Sequence, residues 1–162
     1  EIYVDGQMAE IALIDVVVCT ELFVGSRALW DPHRIREIVL ARAEPDCIGM
    51  SCIGGLLHPL GPQDPQGMYV RLGGGNTSVL APVGPGLISK VDTQEYRLLS
   101  LGEEVVLEPA ACTIAVDGER QLEVFQHQKI RVRLTNRGPR VVDVRRYLHE
   151  ASRRGVFRTV VK

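Results

Sequence analysis

The 162-residue sequence has no apolar stretch long enough to cross a bilayer as a helix. Its most apolar run, Ile11 to Cys19, is broken by Asp15 and falls far short of the roughly 20 residues a spanning helix needs. No signal peptide is recognisable at its start. None of the four cysteines (Cys19, Cys47, Cys52 and Cys112) stands in a Cys-x-x-Cys pair, so no zinc site is expected. Three of them lie in apolar, strand-like runs, where a free thiol behaves as a small hydrophobe. That usage fits a reducing, cytoplasmic compartment. His33, His58, His127 and His149 are scattered, without a His-x-x-x-His or Glu-x-x-His pair, so neither a metal site nor a hydrolytic triad is expected. No Gly-Lys-Ser/Thr follows a glycine-rich turn, which excludes a P-loop. Aromatics make up 5% of the chain. Arg131, Arg133 and the arginines near the C-terminus could hold phosphate, but without interleaved aromatics a nucleic-acid partner is not expected.

What is present is ordinary for one soluble domain: 45% hydrophobic and 24% charged residues. The first residue is Glu1, and Ile2 to Gln7 already reads as mid-structure, so a segment upstream is expected. The net charge of −1 hides an asymmetry. From Lys129 to Lys162 there are 11 Lys/Arg against two acids, and the rest carries 8 against 18. Such imbalance fits an anionic partner, or ends of the chain that neutralise each other or another domain.

The dominant pattern is two-residue alternation. In Cys112 to Leu134, Ile114 and Val116 lead into Asp117-Gly118, a pair that tolerates the two positive φ angles of a type I′ turn. Leu122, Val124 and Phe125 follow, then a turn at 126–129, then Ile130, Val132 and Leu134 on one face with Arg131 and Arg133 on the other. The stretch reads as a three-stranded antiparallel meander. Residues 2–20 read as a hairpin turning at Asp5-Gly6, with a long second strand from Glu10 to Thr20. A loop with Gly25 and Ser26 spans 21–30. Asp31-Pro32 reads as a helix cap leading through a short helical turn into a strand by residue 38. Further strands are expected at 46–53 (ended by Gly54-Gly55), 68–72, 79–81, within 88–101, and at 104–108 before Pro109. Gly73 to Asn76 reads as a tight turn and 58–67 as a proline-rich loop. A helix is expected over 143–154, capped by Asp143 and Gly155, with Val144, Tyr147, Leu148 and Ala151 on one face. Val156 to Val161 would be a last strand. Short strands with Gly/Pro punctuation and one late helix predict a mainly β fold, an antiparallel β-sandwich with one C-terminal helix.

Three stretches could carry chemistry. A strand ending in Ser51 and Gly54-Gly55 would expose backbone N–H groups and a hydroxyl, suited to phosphate or ribose, or would be a plain turn. Ala81 to Leu87, with two prolines and two glycines, could wall a pocket or merely cross a sandwich edge. Asp15 sits among apolar neighbours, where a carboxylate needs water, a partner or a ligand hydroxyl.

These landmarks resemble the C-terminal domain of ATP-NAD kinase-like proteins, in the branch related to acetoin-catabolism protein X. The resemblance rests on Leu13 to Val18, Ser51 to Gly55, Ala81 to Leu87 and Ala115 to Glu119, in that order. It implies a substrate-binding sandwich over 1–140, with a basic helix and tail over 141–162 docking on an upstream α/β domain. That domain would bear the Gly-Gly-Asp-Gly-Thr loop that binds ATP phosphates and supplies the catalytic aspartate. No catalytic or metal residue is therefore expected in this chain, and alone it would be inactive. Asp15 and Ser51 would bind ligand hydroxyls, Gly54 and Gly55 would present backbone groups, and Asp117 and Gly118 would shape the rim. The implied partners are NAD or a related nucleotide, with ATP and Mg²⁺ in the intact protein; a dimer or larger oligomer is also expected, since exposed strand edges favour pairing. Ile14-Asp15 replaces the Asn-Glu pair of NAD kinases, and an Ile cannot replace the hydrogen bonds of an amide. Rival readings are a kinase acting on another alcohol or lipid, and a non-catalytic binding module.

Overall fold

A computed structural model describes residues 1–20, 31–108 and 111–159. In chain order its elements are β1 (Ile2–Val4), β2 (Gln7–Glu10), β3 (Asp15–Cys19), β4 (Ile35–Leu40), α1 (Met50–Leu57), β5 (Gln66–Gly84), β6 (Leu87–Ser100), β7 (Glu104–Val106), β8 (Cys112–Val116), β9 (Arg120–Val124), β10 (Ile130–Arg133) and α2 (Val144–Arg153). All described strand pairs are antiparallel. They form a four-stranded sheet in the order β2-β1-β10-β7 and a six-stranded sheet in the order β6-β5-β4-β3-β8-β9.

Both Asp-Gly turns form as their chemistry requires. Asp5 and Gly6 have φ of 50° and 85°, and Asp117 and Gly118 have 53° and 68°. The first joins β1 to β2, the second β8 to β9. The strands beyond them go elsewhere than expected. β10 pairs with β1 and β7 in the smaller sheet instead of returning beside β9, so the expected meander is split between two sheets. Likewise the expected strand from Glu10 to Thr20 is two pieces: β2 ends at Glu10, and β3 begins at Asp15 in the other sheet.

Those two crossings stack the sheets. Ile2, Val105, Ile130 and Val132 of the small sheet share one core with Val16, Val18, Val39, Leu99, Ile114 and Val116 of the large one. Val17, Cys19, Ile38, Leu40, Met68 and Val70 point the other way, into a second core closed by Met50, Cys52 and Ile53 of α1. β3 is thus buried on both faces, which is why Val16 to Cys19 reads as a continuous apolar run without alternation. The fully buried Glu37 on β4 is tied by the Tyr69 hydroxyl at 2.6 Å.

Other expectations need adjusting. Asp31 does cap a turn, a 3₁₀ turn over Pro32–Arg34, but β4 starts at once with Ile35. Residues 73–76 do not end a strand. β5 continues through them as a bulge, so that both Leu72 and Thr77 lie opposite Thr93, and the short strand at 79–81 is part of β5. The expected strand at 46–53 is bends leading into α1. α2 forms as expected: the Asp143 carboxylate accepts from the Arg146 N–H at 2.9 Å, and Gly155 has φ of 75°. Yet of its expected core face only Ala151 is buried, while Val144, Tyr147 and Leu148 are exposed. Residues 156–159 form no strand. The expected loop at 21–30, Pro109, and 160–161 of the expected last strand lie outside the described residues.

Candidate functional site

The six residues singled out from the sequence fall into two groups, one at each side of the end of the β3–β4 pair. In the first, the Asp117 carboxylate gathers the segment that enters β3. Its Oδ1 accepts from the backbone N–H of Leu13 (3.0 Å), Ile14 (2.8 Å) and Asp15 (3.2 Å). Its Oδ2 accepts from Leu13 and from Arg120 Nη2 at 2.9 Å. Arg120 extends the clamp to the Ile11 carbonyl at 2.9 Å and to Glu10 at 2.7 Å. Gly118 completes the turn, and the space beside it is open. Asp15 lies at the start of β3, opposite Leu40. By alternation it shares the face of Val17, the side of the sheet that α1 covers. Burial, followed by the charge of Asp117, pushes its carboxyl up to about 6, eased by a hydrogen bond from the Asp117 backbone. A carboxylate that titrates near neutrality can both accept and donate a hydrogen bond to a hydroxylated ligand.

In the second group, Ser51 lies in the first turn of α1 and is buried. Its hydroxyl donates to the Arg42 carbonyl at 3.0 Å and accepts from the Glu44 N–H at 3.3 Å. Gly54 and Gly55 lie inside the helix, not in a strand-ending turn, and are buried. A Cβ on Gly54 would lie 2.2 Å from Leu40 Cδ1, and one on Gly55 would lie 2.4 Å from the Pro45 nitrogen. Both glycines let α1 settle on the segment leaving β4. The Gly54 carbonyl accepts from His58 N–H at 2.8 Å. The two groups meet through the backbone, where Ala41 N–H donates to the Ile14 carbonyl at 2.8 Å.

Beside that junction opens a cleft of about 410 Å³. Leu13, Arg42, Gln63, Asp64, Thr135 and Asn136 are among its lining residues. Apart from Leu13, which opens the Leu13 to Val18 stretch, sequence reasoning missed them, because they come from three loops whose only signals were Pro, Gly and Asn. Arg42 is partly spent on Glu44, through Nη2 at 2.9 Å. The Arg131/Arg133 face, considered for phosphate, is engaged otherwise. Both guanidiniums pair with Glu104 and lie over the Tyr3 ring, at 5.9 and 5.2 Å from its centroid. Ala81 to Leu87 is the tip of the β5–β6 hairpin: Ala81 to Gly84 end β5, Pro85-Gly86 make the turn and Leu87 opens β6. Its Pro82 carbonyl accepts from Gly49 N–H at 2.9 Å, fixing the entry to α1.

Among the described residues no three His, Cys, Asp or Glu side chains converge as a metal-ligand set, and no helix is long and apolar enough to cross a membrane. Cys47, Cys52 and Cys112 carry free thiols.

No solved structure matches the chain significantly. Acetoin catabolism protein X of Cupriavidus necator is 32% identical to it over 158 residues, which is 96% of this chain and 44% of that relative. The chain therefore spans less than half the length of the relative it matches. The profile of the acetoin catabolism protein X C-terminal domain covers residues 1–137, both sheets and the candidate site, and stops short of α2. The chain belongs to the acetoin catabolism protein X C-terminal domain family.

Proposed function

We propose that the chain is the C-terminal nucleotide-binding and self-association domain of an ATP-NAD kinase-like phosphotransferase. In the intact protein the γ-phosphoryl group of ATP, accompanied by Mg²⁺, passes to a hydroxyl, with the adenosine-ribose 2′-OH of NAD as the expected acceptor and NADP and ADP as products. The observation that carries the reading is Asp15: a half-buried carboxylate poised near neutrality, on the α1 side of the sheet, in a family whose sequence landmarks resemble those of the NAD kinases. Its role is to take a ligand hydroxyl. Asp117 and Gly118 fix the segment that presents it, and Ser51, Gly54 and Gly55 fix the facing segment through packing instead of touching ligand. The phosphoryl-transfer machinery and Mg²⁺ belong to an upstream α/β domain, on which the basic α2 docks with Val144, Tyr147 and Leu148. No residue of this chain receives a catalytic role, and the domain by itself is inactive.

Calorimetry on the intact gene product with NAD, NADP and ATP tests this. Binding of both NAD and ATP supports the reading. ATP without NAD points to another alcohol or lipid acceptor. Binding of none of the three leaves a non-catalytic module. One observation favours that last alternative: the Ser51 hydroxyl and Gly54 and Gly55 are consumed inside the fold, and the Asp117 carboxylate is taken up by backbone N–H groups and Arg120.

A further inference from the structure

The four sheet edges are unequal. β2, β7 and β9 run four, three and five residues, whereas β6 runs 14. β6 hydrogen-bonds to β5 on one side. Among the described residues no other backbone bond reaches it between Leu87 and Leu99. A long edge offers a row of unpaired N–H and C=O groups that another strand can take, and proteins usually blunt such edges with proline, charges, bulges or by keeping them short. β6 contains neither proline nor glycine. Its pairing with β5 shifts near Leu72 and again between Pro82 and Gly84, which leaves Ile88 to Thr93 as a regular run. On the wet face of that run stand Ile88, 70% exposed, then Lys90 and Asp92, with Leu80, 71% exposed, beside Lys90 on β5.

We infer that two copies of the chain pair antiparallel through this run of β6, about a twofold axis at Val91. Charge selects the register. With the axis at residue 91, Lys90 lies opposite Asp92 of the partner subunit, and the symmetry repeats the pair. Ser89 then lies opposite Thr93 of the partner subunit. Moving the axis one residue either way sets Lys90 against Lys90 of the partner subunit, or Asp92 against Asp92 of the partner subunit, and like charges directly opposite destabilise a strand pair. Within one copy Lys90 and Asp92 already lie 3.1 Å apart, so pairing extends a dipole into a ladder of alternating charge. The two six-stranded sheets become one continuous sheet. This dimer rests on the self-association half of the proposed function and on no nucleotide.

Sedimentation equilibrium of the 162-residue chain, from about 1 μM to a few hundred μM, tests it. A reversible dimer is expected. Lys90→Glu and Asp92→Lys should each weaken it about tenfold, since each turns both cross-strand attractions into repulsions. Combining Lys90→Asp with Asp92→Lys should restore it, a recovery that a mere change of surface charge would not give. Circular dichroism confirms that the variants fold. A chain that is monomeric throughout overturns the inference. So does a dimer that ignores the single reversals, or an exchange that fails to restore it. Each of these leaves the outcome with NAD untouched.

Discussion

The two Asp-Gly turns are alike in backbone and unlike in what their carboxylates hold. Asp5 and Asp117 share a left-handed φ near 50°, each followed by a glycine of positive φ. Asp5 accepts from the Lys129 N–H at 2.9 Å, and Gln128 reaches it at 3.4 Å. Asp117 accepts from three consecutive backbone N–H groups and from Arg120. In both cases the segment held crosses from one sheet to the other: 128–129 leads from β9 into β10, and 13–15 leads from β2 into β3. A turn residue chosen for its φ tolerance has thus been given a second task, fastening the chain where it changes layer. The task is heavier at Asp117, because the segment it holds carries the candidate ligand group.

The difference can be broken most forcibly at Asp117. Asp117→Ala should cost about 3 kcal/mol in urea denaturation, since it strands several donors at once, while Asp117→Asn should cost roughly half. Next is Asp15→Asn, which removes a charge that burial, and then Asp117, disfavour in the folded state. The folded carboxyl titrates at about 6 against an ordinary value of 3.8, so the native chain holds its proton longer than the unfolded one. That contribution to stability falls as pH rises from about 4 to 6 and then levels off. Asp15→Asn should therefore be the more stable form above pH 6, by on the order of 2 kcal/mol, with the advantage gone near pH 4. Stability curves of both forms at several pH values check this. Asp5→Ala, losing one strong and one weak bond, should cost about 1 kcal/mol. Smallest, and equal in both turns, should be the contrast between Gly6→Ala and Gly118→Ala. Each forces a side chain into positive φ with open space around it, costing about 1 kcal/mol. Unequal costs there would trace the asymmetry to the backbone instead of the carboxylates.

The turns were legible because their signal is local: Asp-Gly declares its φ angles wherever it occurs. The α2 cap and the Gly155 stop were legible for the same reason. β3 was legible as a strand, but not as one covered on both faces. The fate of β10 was hidden, because Gln126 to Lys129 serves equally for a return within a sheet and for a step to another. α1 was misread for a different cause. Met50 to Leu57 contains two glycines, which weaken a helix by about 1 kcal/mol each, and its neighbours look strand-like. Close packing on Leu40 and Pro45, which requires those glycines, overrides the local preference. The site inherits this pattern. Asp15 and Asp117 lie together through a bond between residues 102 apart, a proximity that the resemblance implied and that spacing alone could not. The cleft residues, drawn from loops, left no periodic trace.

That long separation bears on how the molecule is made. β5 and β6 are neighbours in sequence and form a ribbon from contacts available as soon as they leave the ribosome. β4 joins β5 early for the same reason. β3, buried on both faces, can gain its second flank only when β8 emerges, with Val16 waiting for Val116. During synthesis one side of the central strand stays open, and closing that gap spans the longest stretch of chain between paired strands of the large sheet.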